Sequence, residues 1–170
     1  QPQTVQIFMI NVIDADLLNP IHAEATTNLL NHYSADEMGG GEELPQFVKD
    51  NLVAELHRRR EAHVVLAFEG EKPVGLAILM EGFSTFSCMP LLNIHDVVVM
   101  SGYRGKGIAQ KLLFKAEEIA RSLGCCKLTL EVLEGNKAAQ AAYKASGFNG
   151  YELDPKMGKA LFWQKKLASR

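Results

Sequence analysis

Two apolar rhythms alternate along this chain, one continuous or of period two and one of period near four, and each switch between them marks an element. Residues 5–12, VQIFMINV, form a short apolar run that predicts a first strand. From Pro20 to about residue 32, Ile21, Ala25 and Leu29 fall four apart with proline near the start, which predicts a helix. Gly39, Gly40 and Gly41 in succession then enforce a loop. Leu44, Val48, Leu52 and Leu56 make the core stripe of a second helix over 44–60, and the basic run His57-Arg58-Arg59-Arg60 at its end complements the helix dipole. Residues 63–68 and 74–80 read as two strands of a hairpin around the turn 69–73. Val97, Val98 and Val99 end a further strand that suits burial on both faces. Ile108, Leu112, Ala116, Ile119 and Leu123 then share one face of a helix that Gly124 stops. Residues 127–133 are another strand, and Asn136 caps a short alanine-rich helix over 137–146 ended by Gly147. Segments 150–153 and 160–166 read as a last pair of strands around Asp154-Pro155.

The order is therefore β-α-α-β-β-β-α-β-α-β-β, one α/β domain (α+β mixed sheet) over residues 1–170. Its sheet is antiparallel early and crosses over through helices in the second half. Composition leaves this picture intact: 170 residues, 47% hydrophobic and 22% charged, suit a globular chain with a real core. A net charge of −2 gives no reason to expect nucleic acid or an anionic membrane as partner. No apolar run approaches a membrane-spanning length, and QPQTVQIFMI lacks the basic start and cleavage site of a secretory signal. Cys88, Cys125 and Cys126 suggest neither a disulfide framework nor a metal site, so the expected setting is the reducing cytoplasm, with Cys125 and Cys126 as core packing. The loop 36–43 carries Asp36, Glu37, Glu42 and Glu43, either as a solvated connection or as an acidic lip for a cationic substrate.

The chemistry concentrates in residues 91–113, where a buried strand feeds Arg104-Gly105-Lys106-Gly107 and then a helix. A glycine-rich turn that opens a helix gathers unpaired backbone N–H groups at the positive end of the dipole, and phosphate is the ligand such a place favours. A P-loop fails because Ile108 follows Gly107 where lysine is needed. A dinucleotide fingerprint starts at Gly105-Lys106-Gly107 but has Gln110 in place of its third glycine, and too little chain remains for a doubly wound sheet.

The pattern that fits is Gln/Arg-x-x-Gly-x-Gly/Ala, met by Arg104, Gly107 and Ala109. Here the chain resembles the GNAT superfamily of N-acetyltransferases, whose pyrophosphate-binding signature has this form. A second stretch, Asn136, Ala139, Tyr143, Gly147 and Phe148, resembles the superfamily's later helix and lies one strand downstream, as it should. The element order agrees over nearly the whole chain. The resemblance implies acetyl-coenzyme A (acetyl-CoA) as co-substrate, with no metal, and a primary amine of a small molecule or protein as acceptor. The pyrophosphate would lie on the backbone of Gly105, Lys106, Gly107, Ile108, Ala109 and Gln110, with charge from Arg104 and Lys106 and a reach from Lys111. The pantetheine arm would run along Val97, Val98 and Val99, adding to the strand edge, and Asn136 would contact the cofactor while capping its helix. By the same resemblance Tyr143 is the general acid for the leaving thiolate.

Asn93, His95 and Val97 alternate along one face of the strand with Asp96 on the other. Superfamily members often carry a glutamate here; in this chain His95 is the candidate base, since it can accept a proton at neutral pH and Asn93 cannot. The run Val99-Met100-Ser101, Tyr103-Arg104-Gly105 also resembles diamine acetyltransferases. Those carry an acidic pair where this chain has His95-Asp96, which argues against a polyamine acceptor. The resemblance leaves room for a homodimer. The alternative from another class is a non-catalytic acyl-CoA-binding regulatory module, against which the retained Tyr143 speaks; a nucleotide-binding dehydrogenase ranks third.

Overall fold

The computed structural model describes residues 9–168. In chain order the elements are β1 (Ile10–Asp14), α1 (Pro20–Ala35), a 3₁₀ turn (Glu37–Gly39), α2 (Gln46–Arg58), β2 (Ala62–Glu69), β3 (Lys72–Ser84), β4 (Met89–Val99), α3 (Ile108–Ser122), β5 (Leu128–Leu130) and α4 (Lys137–Ala145). The expected first strand is present from residue 10; its part over 5–8 lies outside the described residues. Asn19 caps α1 by accepting from Ile21 N–H at 3.0 Å, and Pro20 holds the first helical position, where its missing N–H costs nothing. The second helix starts two residues later than its apolar stripe suggests, because Pro45 ends the extended segment before it.

One five-stranded sheet runs in the order β1-β2-β3-β4-β5, antiparallel through β4, with β5 parallel to β4. Side chains leave its two faces into two cores. On one, Val65, Ala77, Leu79, Leu92 and Ile94 pack against Ile108, Leu112 and Ala116 of α3; on the other, Leu66, Leu76, Ile78 and Val98 meet Ala25 and Leu29 of α1 and Leu56 of α2. Gly75 allows α3 to lie close on β3: a Cβ there would stand 2.9 Å from Ile108 Cγ2 and 3.2 Å from both Ala67 Cβ and Leu112 Cδ1.

Three expectations are corrected. The alternation across Asn93, His95 and Val97 is broken by a bulge: Ile78 pairs with Asp96 and Leu79 with Ile94, which leaves His95 as the extra residue. Residues paired directly across strands share a face. Asn93, opposite Met80, and Asp96, opposite Ile78, therefore share the α1–α2 face, while Val97 lies opposite Ala77 on the α3 face. The last pair of strands does not form. Residues 150–166 contain one isolated bridge, Glu152 to Lys159, and Leu161, Phe162 and Trp163 are exposed. The reason is the shortness of β5, whose three residues offer a returning strand too few ladder positions to hold a register. Finally, Cys125 packs half-buried against the α3 core but Cys126 is exposed, because the two adjacent side chains point opposite ways as the chain turns into β5.

Among the described residues, no helix is long and apolar enough to cross a membrane, and no group of three or more His, Cys, Asp or Glu side chains is placed to hold a metal.

Candidate active site

β5 pairs with β4 only at Leu92, Asn93 and Ile94. Beyond Ile94 the two parallel strands diverge, while β4 stays paired with β3 as far as Val99. The outer edge of β4 over Val97, Val98 and Val99 is thus left open. A cavity of about 690 Å³ fills the notch. Its walls are β4, the turn from Tyr103 to Gln110, one side of α4 with Asn136 and Tyr143, and the end of α1 with His32, Tyr33, Asp36 and Met38.

The floor at one end is the start of α3. Gly105 and Gly107 both hold φ of +78°, a left-handed conformation that side chains disfavour. Gly107 is the N-cap and brings no side-chain acceptor, so the first backbone N–H groups of a fifteen-residue helix face the cavity without a protein cap. Arg104 leans over this end and donates to Asp36 Oδ2 at 3.1 Å. That contact, together with a hydrogen bond from Met38 N–H, which acts most strongly, holds the Asp36 carboxyl below the usual range. Lys106 does not line the cavity; its ammonium stands 4.9 Å over the Tyr103 ring, which also carries Lys72 at 5.0 Å. Lys111 lies outside the lining too.

Across the cavity, Asn136 Oδ1 accepts from Ala139 N–H at 3.1 Å and caps α4. Tyr143 lies on the cavity side of that helix, with Phe148 edge-on at 6.2 Å. Burial pushes its phenol pKa up, and the nearby Tyr33 and Asp96 push it further. Tyr33 is raised by the same causes, burial first, then Asp96 and Asp36. The cavity therefore brings the donor-rich start of α3 together with the phenols of Tyr33 and Tyr143.

Of the residues singled out from the sequence, Val97, Val98, Val99, Arg104, Gly105, Gly107, Ile108, Ala109, Gln110, Asn136 and Tyr143 line this one cavity; Lys106, His95 and Asp96 do not. His95 is exposed, with Nδ1 hydrogen-bonded to Asn93 Oδ1, and Asn93 in turn donates to Thr129 Oγ1 at 2.9 Å. The acidic loop divides. Asp36 enters the cavity, while Glu43 turns away to Asn31 and Lys49. His32 and Tyr33 are absent from the sequence reading because they lie about seventy positions before the turn they join. The contact that brings them there, Ser101 N–H to His32 Nε2 at 3.4 Å, leaves no trace in local spacing.

The acetyltransferase (GNAT) family model matches residues 26–148, which takes in the second half of α1, the whole notch and α4. The chain belongs to the acetyltransferase (GNAT) family. Among its GNAT relatives, the thialysine N-epsilon-acetyltransferase of Bos taurus is 37% identical over 79 residues, 46% of this chain and 46% of that protein. The chain thus spans about half the length of this curated relative. The thialysine N-epsilon-acetyltransferase of Caenorhabditis elegans is 29% identical over 132 residues, 74% of this chain and 76% of that protein. The GNAT fold also superposes on a solved aminoglycoside acetyltransferase from an uncultured soil metagenomic sample, in complex with sisomicin. That match has a TM-score of 0.74 and 16% identity over 94% of this chain and 97% of that one, a likeness of fold alone.

Proposed function

We propose that this chain is an N-acetyltransferase that moves an acetyl group from acetyl-CoA directly to a primary amine. The observation that carries the reading is the open edge of β4 running straight into the uncapped start of α3. An extended amide-bearing arm adds to a free strand edge through backbone hydrogen bonds. A pyrophosphate at its far end would meet the N–H groups of Gly105 to Ala109 and the positive end of the helix. Arg104 already holds an anion there, the Asp36 carboxylate, which shows that its guanidinium is within reach of the turn.

Laid out this way, the thioester falls at the end of the notch where Tyr143 stands. Attack by the amine forms the C–N bond, and collapse of the intermediate breaks the C–S bond. The leaving sulfur takes the phenolic proton of Tyr143, which its raised pKa keeps in place at neutral pH. The proton of the attacking nitrogen needs an acceptor on β4, where His95 and Asp96 stand side by side. The relatives are named for the ε-amino group of thialysine, and the solved neighbour is an aminoglycoside acetyltransferase in complex with sisomicin. These set the classes of amine to try first.

The test is a thermal melt with acetyl-CoA and with NAD, followed by thiol release against amino acids with side-chain amines, aminoglycosides, polyamines and N-terminal peptides. Stabilisation by acetyl-CoA and not NAD, with thiol release on at least one amine, is expected. Binding without release on any amine would leave an acyl-CoA-binding module.

A further inference from the structure

We infer that Lys72, Tyr103 and Lys106 form a second anion site at the rim of the cavity. It receives the 3′-phosphate of the coenzyme and so selects acetyl-CoA over its 3′-dephospho form, an inference that rests on the transferase reading above. The centre of the site is the Tyr103 ring. Tyr103 lines the cavity and packs half-buried against the α3 core. Its N–H donates to the Met100 carbonyl at 3.0 Å and its hydroxyl to Glu69 Oε1 at 3.1 Å, which fixes the ring at the foot of the turn into α3. The Lys106 ammonium stands 4.9 Å from the ring centroid and that of Lys72 5.0 Å. Both lysines are exposed, just outside the lining and around a ring that belongs to it.

Lys106 comes from the turn itself, between Gly105 and Gly107. Lys72 opens β3, about thirty positions earlier, and the fold brings it here because β3 begins where β4 ends. Met100 N–H donates to the Val74 carbonyl at 2.9 Å, and Gly75 pairs with Val99. Glu69 and Glu71 of the β2–β3 turn are the carboxylates nearest Lys72 in sequence, yet among the described residues neither lysine forms an ion pair. Two ammonium groups on one ring can be no further apart than about 10 Å, roughly one Debye length at 0.1 M salt, so they repel each other. The attraction of an exposed ring for each cation is weak. An anion held by both lysines removes the repulsion.

The coenzyme's own chemistry supplies that anion. Its pyrophosphate and its third phosphate are carried by one ribose, on the 5′ and 3′ oxygens. A pyrophosphate on the N–H groups of Gly105 to Ala109 therefore brings the ribose phosphate within a lysine side chain's length of the turn. A phosphomonoester carries about −1.5 to −2 charges at neutral pH, which two ammonium groups balance, and its oxygens can accept from both. The labour divides: Arg104 and the start of α3 serve the pyrophosphate, while Lys72 and Lys106 serve the 3′-phosphate. The dephospho coenzyme has a neutral hydroxyl at that oxygen and leaves the two charges unanswered.

The experiment measures the binding of acetyl-CoA and of 3′-dephospho-acetyl-CoA by calorimetry. The proteins are the wild type, Lys72→Gln, Lys106→Gln and the double variant, each melted first to confirm that it folds. The wild type is expected to bind acetyl-CoA about tenfold more tightly than the dephospho form, each single variant about threefold, and the double variant about equally, with dephospho affinity within about twofold throughout. The wild-type preference should shrink at about 0.5 M salt, where exposed charges are screened. Arginine at both positions keeps the charges and should keep the preference. A wild type that binds the two forms alike, or a double glutamine variant that retains the full preference, overturns the assignment while the transferase reading stands. A wild type that binds neither form and acetylates no amine removes both.

Discussion

Gly75→Ala tests whether the packing of α3 on β3 sets the cofactor site. The added methyl would stand 2.9 Å from Ile108 Cγ2, closer than real Cβ atoms come, and 3.2 Å from Ala67 Cβ and Leu112 Cδ1. All three neighbours are fully buried and none is the loose end of a long side chain. Overpacking of this kind costs about 1–3 kcal/mol. Alanine recovers about 0.5–1 kcal/mol by replacing glycine within a strand, so the net loss is about 0–2.5 kcal/mol. For a chain of this size each kcal/mol moves Tm by about 2–4 °C, and the expected fall is up to about 10 °C. The functional consequence follows from the identity of the clash. Ile108 is the first residue of α3, so relief of the contact displaces the N–H groups proposed to hold pyrophosphate, and acetyl-CoA should bind several-fold more weakly. Ile108→Ala removes the crowded methyl, and in a double-mutant cycle by urea denaturation the two changes should be less than additive by about 0.5 kcal/mol or more. A Gly75→Ala protein that melts above the wild type, or a strictly additive cycle, would refute the reasoning.

Three further outcomes are expected. Tyr143→Phe should cut kcat by about 100-fold or more in the thiol-release assay with acetyl-CoA affinity little changed; unaltered turnover would strip Tyr143 of the acid role. Asp36→Asn frees Arg104 from its carboxylate partner, and calorimetry at low salt should show tighter acetyl-CoA binding, whereas weaker binding would mean that the pair positions the guanidinium. The Asp96 proton is held more tightly in the folded than in the unfolded chain, so stability is lost as pH rises through the raised folded value. Asp96→Asn has no such loss; its Tm should match the wild type near pH 4 and exceed it at pH 8, and a constant offset across that range would count against the burial of that charge.

Local signals carried most of the elements. The four-residue spacings in α1 and α3, the proline at the start of α1, and Gly124 at the end of α3 each describe structure that a few neighbouring residues settle among themselves. The glycine turn that opens α3 was legible for the same reason. Its glycines, its uncapped helix start and the capping Asn136 are local chemistry. The tail was misread because Leu161, Phe162 and Trp163 look like a strand by composition, yet a strand exists only if an edge is there to receive it.

By itself, then, the sequence determined the α/β order as far as α4, the glycine turn that opens α3, and the placing of Tyr143 on a short capped helix, since each depends on contacts within a turn or two. Only the tertiary structure decided which strand edge stays open, that His32, Tyr33 and Asp36 close the far wall of the notch, and that a bulge puts Asp96 on the α1–α2 face and leaves His95 exposed. A one-residue slip in a ladder reverses every side chain after it, and the partner that imposes the slip, β3, lies elsewhere in the chain. Pairing across that distance is a property of the fold, and the side chains that β4 turns to each face of the sheet are set by it.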